Sequence, residues 1–258
     1  MENSQKLVLV IGATGGVGQL VVAKLVAENY QVRVLIRDRK KGEQLFAQQV
    51  EIFEGNIFNA QVIKEVSKDV TDIICTVGTT AFPSSKWQLD WSDNNWLENL
   101  QAYLKPKQLG KKAKNSPWQV DAEGVINIIE NCDRSKLSRF VLVSSCGVLR
   151  TTQFPYTILN LFGVLTAKKQ GEDCLVNSGI PYTIVRPSRL IDGPFTSYDL
   201  NTLFKAQMKN RDTEVVIDTG DKINGQSSRI DVANFCVESL VGEKNINQAF
   251  EIITTSKN

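Results

Sequence analysis

The chain has 258 residues, the size of one large α/β domain and enough to bury a full core. Its 30 Lys and Arg against 28 Asp and Glu give a formal charge of +2, spread along the chain, which argues against nucleic acid and for a small-molecule partner. There is no histidine, which removes the commonest general base, the commonest metal ligand and every Ser-His or Cys-His nucleophile; the five cysteines form no CxxC pair and are expected to be reduced packing residues, with no metal bound.

The opening MENSQKLVLVIGATGG lacks the basic-then-apolar pattern of an export signal, and no stretch reaches the roughly 18 apolar residues of a membrane span, so a cytoplasmic protein without a transmembrane segment is expected. Residues 7–11, LVLVI, form the short continuous apolar run of a strand buried on both faces. A glycine-rich turn follows, then Val17, Leu20, Val21, Leu25 and Val26 recur at helical spacing, and 31–36 alternates as a second strand. Further strands are expected at 50–53, 72–77, 139–144 and 182–186, and this alternation predicts a Rossmann-type α/β fold, a doubly wound parallel sheet with right-handed crossovers. Residues 82–118 break the rhythm: they hold all four tryptophans (87, 91, 96 and 118) and a basic stretch at 105–114. They read as an inserted loop, with room for one short helix, whose tryptophans pin a surface excursion to the core; a lid or a protein-docking surface is the competing reading. Beyond 187 the pattern loosens, and a small C-terminal substrate lobe at about 188–245 is expected within a single domain of 1–258.

The turn reads Gly12-Ala13-Thr14-Gly15-Gly16-Val17-Gly18, a GxxGxxG pattern. Glycine is needed where the chain turns with positive φ, where backbone approaches a pyrophosphate and where helix packs on strand; the helix N-terminus then offers free N–H groups and a favourable dipole. A glycine pattern alone is weak. Placed after a buried strand and at the head of an amphipathic helix, it predicts a dinucleotide held by Gly12, Thr14, Gly15, Gly16, Val17 and Gly18. The second strand runs into Arg37-Asp38-Arg39-Lys40-Lys41. A carboxylate there would take the ribose 2′-hydroxyl of NAD, whereas Arg37 and Arg39 can clamp the 2′-phosphate of NADP; NADP is expected, with Asp38 keeping NAD open and a solvated charge run as the ligand-free alternative.

With VDAEGVINII at 120–129, FVLVSSCGV at 140–148, AKKQGEDCL at 167–175, IPYTIVRPSRLIDGP at 180–194 and SSRIDVA at 227–233, the chain resembles the atypical short-chain dehydrogenase/reductase superfamily in its NmrA-like, NAD(P)H-binding branch. Through NLFGVLTAKKQGED and DGPFTSYDLNTL it is most similar to the plant-chloroplast and cyanobacterial members, over nearly its whole length. The resemblance implies that loops at 76–82, 144–148 and 186–190 line the nicotinamide pocket, which brings Thr79 and Pro187 to the cofactor, and that Asn56 stands near the adenine where the family usually places an acidic residue. It also implies catalytic roles for Ser145, as the serine that orients the substrate, and Lys168, as the lysine that holds the ribose, while the position of the family's proton-donating tyrosine falls on Val164.

Reduction of a simple ketone makes a strongly basic alkoxide and needs a positioned acid, which valine does not supply; an acceptor that spreads the incoming charge needs less help. The expected function is therefore hydride transfer from NADPH to a delocalised small-molecule acceptor, a quinone, flavin or enone, with Thr79, Thr80 and Phe82 suited to a flat molecule and Tyr198 as a substitute acid or, more simply, an aromatic cover. The alternative is a non-catalytic NADP(H)-sensing regulator or assembly factor. A nucleotide-sugar epimerase or dehydratase normally needs the missing tyrosine.

Overall fold

Strand β1 (Leu7–Ile11) lies between β2 (Gln31–Ile36) and β4 (Asp72–Cys75), with Leu7 opposite Gln31 and Val8 opposite Asp72 in parallel register. From Val8 onward β1 is buried, because helices cover both faces of the sheet, and its sequence is accordingly apolar without alternation. β3 (Glu51–Glu54) closes one edge on β2; β5 (Arg139–Val143) and β6 (Tyr182–Pro187) extend the parallel sheet past β4. Arg189–Leu190 (β7) and Gln226–Ser227 (β9) make a separate two-stranded pair. Two further strands enlarge the main sheet beyond the six expected: β10 (Gln248–Ser256) runs parallel to β6, and β8 (Thr213–Asp218) runs antiparallel on the outer edge. The order is β3-β2-β1-β4-β5-β6-β10-β8, so the strand order reverses between β1 and β4, and the crevice at their carboxyl ends is where ligands bind in such sheets.

The computed structural model describes residues 5–84, 87, 106, 113–193, 195, 198–208 and 213–256. One face of the sheet carries α1 (Gly16–Ala27) together with α7 (Leu200–Met208) and α8 (Arg229–Glu238), both packed on α1. The other face carries α3 (Ala60–Val66), α4 (Val125–Asn131) and α6 (Val164–Asn177). α1 is buried nearly all round, since it lies between the sheet and two helices, and each fully buried apolar side chain there contributes roughly 1.5–3 kcal/mol. α2 (Arg39–Phe46) and the short α5 (Tyr156–Leu159) lie at the carboxyl side of β2 and beyond β5. The residues expected as a C-terminal lobe are divided: α7 and α8 belong to the α1 layer, and β8 belongs to the central sheet.

Of the 82–118 segment, Trp87 is buried and meets Phe162 edge-on at 5.8 Å, as Phe82 does at 6.0 Å. Trp118 opens a π-helical turn, Trp118–Gly124, and its ring fills the space a side chain on Gly163 would need. Trp91, Trp96 and most of the basic stretch, with the short helix expected there, lie outside the described residues. No helix among the described residues is long and apolar enough to cross a membrane.

Candidate functional site

The glycine turn joins β1 to α1 at the reversal point. Gly12 has φ +87°, and a Cβ there would meet the Thr76 hydroxyl at 2.8 Å and the Val77 amide at 2.9 Å. A Cβ on Gly18 would run into the Gly12 carbonyl, so only glycine lets α1 begin this close to β1. The Gly15 N–H donates to Gly12 O at 2.9 Å and the first helical bond runs from Gln19 N to Gly15 O, which leaves the N–H groups of Gly16, Val17 and Gly18 without helical partners. The N-cap is Gly15, with no side-chain cap, and the first turn has no acidic residue. Buried Gln19 donates to Thr14 O at 3.1 Å and steadies the turn from behind. These uncapped N–H groups at a positive helix end, with no Cβ in the way, fit the pyrophosphate of a dinucleotide.

At the end of β2, Arg37 is exposed. Asp38 is the N-cap of α2 and accepts from Lys41 N at 3.1 Å, so its carboxylate serves the helix rather than a ribose. Arg39 turns toward β3: it donates to Ile52 O at 3.0 Å and lies 3.9 Å from both Glu43 and Glu54. Of the two arginines expected at a 2′-phosphate, Arg39 is the one engaged with β3. Asn56 is exposed after β3, its side-chain oxygen accepting from Phe58 N at 3.2 Å.

Beyond β4 the second half of the site gathers around Lys168. Its ammonium lies 2.7 Å from the carboxylate of Asp121, which the π-helical turn places in the interior, and the other oxygen of Asp121 accepts from Thr79 N at 3.4 Å. Burial pushes the Asp121 carboxyl above the usual carboxylate range, with Lys168 and the Thr79 amide opposing that push. Gly171 permits the approach by letting α6 close on the Asp121 carbonyl, and Gly78 brings the post-β4 loop beside the ion pair. A small cavity here is lined by Val77, Asp121, Val125, Leu142, Val143, Ser144 and Lys168. The Ser144 hydroxyl is buried without a hydrogen-bond partner, whereas Ser145 donates to Cys146 O at 3.0 Å. Ser144 is thus the serine that shares a cavity with Lys168, while the resemblance gives the substrate-orienting role to its neighbour Ser145. Pro187 ends β6 beside them, its carbonyl accepting from Cys146 N at 2.9 Å.

Val164 is 5% exposed and packs with Val148, Tyr156 and Leu165. Tyr156 does not substitute for a catalytic phenol: it donates to Asn224 at 2.6 Å, accepts from Arg150 at 3.0 Å and lies under that guanidinium. Tyr198 is 48% exposed and faces Phe195 at 6.2 Å. Glu172 takes both arms of Arg186, at 3.0 and 2.6 Å, and ties α6 to β6. Cys146, Asp221 and Glu251 form a metal-like trio whose carboxylates accept from four main-chain N–H groups, those of Gly147 and Leu149 on the two oxygens of Asp221, both at 2.7 Å, and those of Lys222 and Ile223 on Oε2 of Glu251, at 2.6 and 2.8 Å, while Oε1 of Glu251 is buried without a hydrogen-bond partner. The trio clamps the post-β5 loop to β10. Asp121 was detectable in the sequence as the sole acid in the apolar frame VDAxGVINII apart from its exposed neighbour Glu123; the buried Ser144 hydroxyl had no signal of its own.

Comparison with known proteins places this geometry. The chain is 28% identical over 272 residues to the chloroplastic protein At2g34460 of Arabidopsis thaliana, covering 99% of this chain and 80% of that one. It is 28% identical over 264 residues to sanguinarine reductase of Eschscholzia californica, covering 97% and 90%. With the chloroplastic protein TIC 62 of rice it shares 29% identity over 189 residues, 70% of this chain but 34% of that longer protein. Among solved structures, a Bacillus halodurans protein described as a putative NAD-dependent epimerase/dehydratase superposes with a TM-score of 0.69 at 19% identity, covering 98% of this chain and 95% of that one, which establishes the shared fold. Residues 12–243, from the first glycine of the turn to beyond α8, match the protein family described as NAD(P)H-binding, and the chain belongs to that family.

Proposed function

We propose that this protein is an NADPH-dependent oxidoreductase of the atypical short-chain dehydrogenase/reductase, NmrA-like type, working in the cytoplasm on a flat acceptor that delocalises charge: a quinone, flavin or enone. The observation that carries this reading is α6, which presents Lys168 to the cavity but has Val164, buried among apolar side chains, where a phenol would have to stand. The dinucleotide, when bound, supplies the hydride. The open N–H groups of α1 hold its pyrophosphate, and Arg37 favours NADPH by meeting the 2′-phosphate while Asp38 is occupied as a helix cap. Lys168, fixed by Asp121, would hold the nicotinamide ribose, and Ser144 offers a hydroxyl that lines the same cavity. With no phenol on α6, protonation of the product is left to water or to the acceptor itself, which a delocalised anion tolerates. The name of the sanguinarine reductase relative supports the reductase class.

NADPH oxidation followed against a panel of quinones, flavins, enones and simple aldehydes tests the proposal. Turnover is expected with the conjugated acceptors and not with the aldehydes, and Arg37→Ala is expected to lower the preference for NADPH over NADH about tenfold. Tight NADPH binding with no turnover on any acceptor would remove the enzyme reading in favour of a cofactor-sensing regulator.

A further inference from the structure

We infer that Arg229 is a ligand for the diphosphate of the bound dinucleotide, swinging to it from Asp192; this rests on the dinucleotide reading of the glycine turn. Arg229 is the first residue of α8, yet its side chain extends to the head of α1: a Cβ on Gly16 would stand 3.1 Å from the Arg229 Nε and 3.2 Å from its Cδ. The Phe195 N–H comes to the same point, 3.7 Å away. A guanidinium aimed at the positive end of an uncapped helix is unfavourable unless an anion lies between them.

In this structure the guanidinium stands beside Gly16 while its Nη1 is held by Asp192. It donates to the carbonyl of Asp192 and lies 3.8 Å from the Asp192 carboxylate. That carboxylate has independent partners at the start of α8, accepting from Ser228 Oγ at 2.6 Å and from Arg229 N at 2.5 Å. Asp192 therefore stays satisfied when the guanidinium leaves, and the exchange strands no buried charge. A diphosphate resting on the N–H groups of Gly16, Val17 and Gly18 lies in front of the guanidinium fork, which matches phosphate oxygens in pairs.

This role differs from that of Arg37 in what it recognises. The diphosphate is common to NADPH and NADH, so Arg229 adds affinity without adding preference. Arg229→Gln and Arg229→Lys, folded as judged by circular dichroism, are titrated with NADPH, NADH and adenosine 2′-monophosphate, which carries the 2′-phosphate but no diphosphate. The expected result is a loss of about tenfold or more for both dinucleotides in Arg229→Gln, a smaller loss in Arg229→Lys, and an unchanged NADPH-to-NADH ratio and adenosine 2′-monophosphate affinity to within about twofold. Dinucleotide affinity equal to wild type in Arg229→Gln overturns the inference, as does an equal loss for all three ligands, which marks a purely structural clamp. Should wild type itself bind neither dinucleotide, the glycine-turn reading fails and this inference falls with it. Arg37→Ala run in parallel shows the opposite pattern, a changed ratio.

Discussion

Asp121 is a carboxylate with almost no access to water, set against one ammonium in a pocket of Val77, Val125 and Leu142. Its carboxyl is raised by burial, so the native state binds this proton more tightly than the unfolded chain does. A raised folded-state value means the stabilisation is complete below the ordinary aspartate range and is lost as pH rises through the folded-state value. Asp72, buried in β4 with Lys6 3.8 Å away, is raised for the same reason and acts in the same sense. Wild type is therefore expected to lose stability relative to Asp121→Asn as pH climbs from about 4, at about 1.4 kcal/mol for each unit by which the folded-state value exceeds the unfolded one. Urea unfolding of both proteins from pH 4 to 8 measures the difference directly. A gap that stays constant, or opens in wild type's favour with rising pH, would show that Lys168 fully offsets the burial. Lys168→Ala removes the cation paired with Asp121 and is expected to destabilise by about 3 kcal/mol at neutral pH, as breaking a buried pair does, so its activity has to be read alongside its stability.

At the scale of elements, the junction of β1 and α1 separates two uses of glycine. Gly18 is a packing requirement, because a Cβ would strike the Gly12 carbonyl; Gly18→Ala is expected to cost about 1–3 kcal/mol and to displace the head of α1. Gly15 has φ −81° and ψ 167°, a conformation open to any residue, and its Cβ would meet only the Gly12 carbonyl at 3.2 Å. Gly15→Ala asks the Gly12 carbonyl to give by a few tenths of an ångström, so it should fold with a smaller loss than Gly18→Ala, about 0.5–1 kcal/mol, while weakening NADPH, since the methyl group would stand in the turn proposed to hold the pyrophosphate. Thermal melts with and without NADPH separate the two, and equal effects of both substitutions on the apo melt would refute the division. This junction, with the β2 and β4 pairings of β1, was legible because buried parallel strands and glycine turns write themselves locally. β10 was not: QAFEIITTS carries Glu251 at a fully buried position, and that charge, taken up by the Lys222 and Ile223 amides, breaks the apolar run by which a central strand is recognised. β8 was hidden for the opposite reason, being an edge strand with Val215 and Ile217 largely exposed. Partners distant in sequence also decide the site: Asp38 reads as an NAD signal until it caps α2, and Ser144 and Ser145 differ only in which one the fold turns inward.

For the whole molecule, the cysteines report whether the two layers are one cooperative unit. Cys75 and Cys132 lie in the core on the α3, α4 and α6 side of the sheet, and Cys236 lies in the core on the α1, α7 and α8 side. All five thiols are free, and burial pushes those of Cys75 and Cys146 up to about 12 and that of Cys236 higher still, so none of these three offers a thiolate in the native state. Cys174, partly buried on α6 and less strongly shifted, is expected to be the first to react with an aromatic disulfide reagent, and slowly. The sheet between the layers is shared: β10 contributes Ile252 to the α1 side, while β1 sends Val8 and Val10 to one layer and Leu9 and Ile11 to the other. Neither layer can lose its strands without uncovering the other, which predicts a single transition. Cys75, Cys132 and Cys236, followed by mass spectrometry of labelled peptides across a urea series, should therefore become reactive at one common midpoint. If Cys236 reacts at distinctly lower urea than Cys75, α8 and its neighbours open as a separate unit, and the C-terminal residues form a lobe in the energetic sense even though β8 and β10 are woven into the sheet.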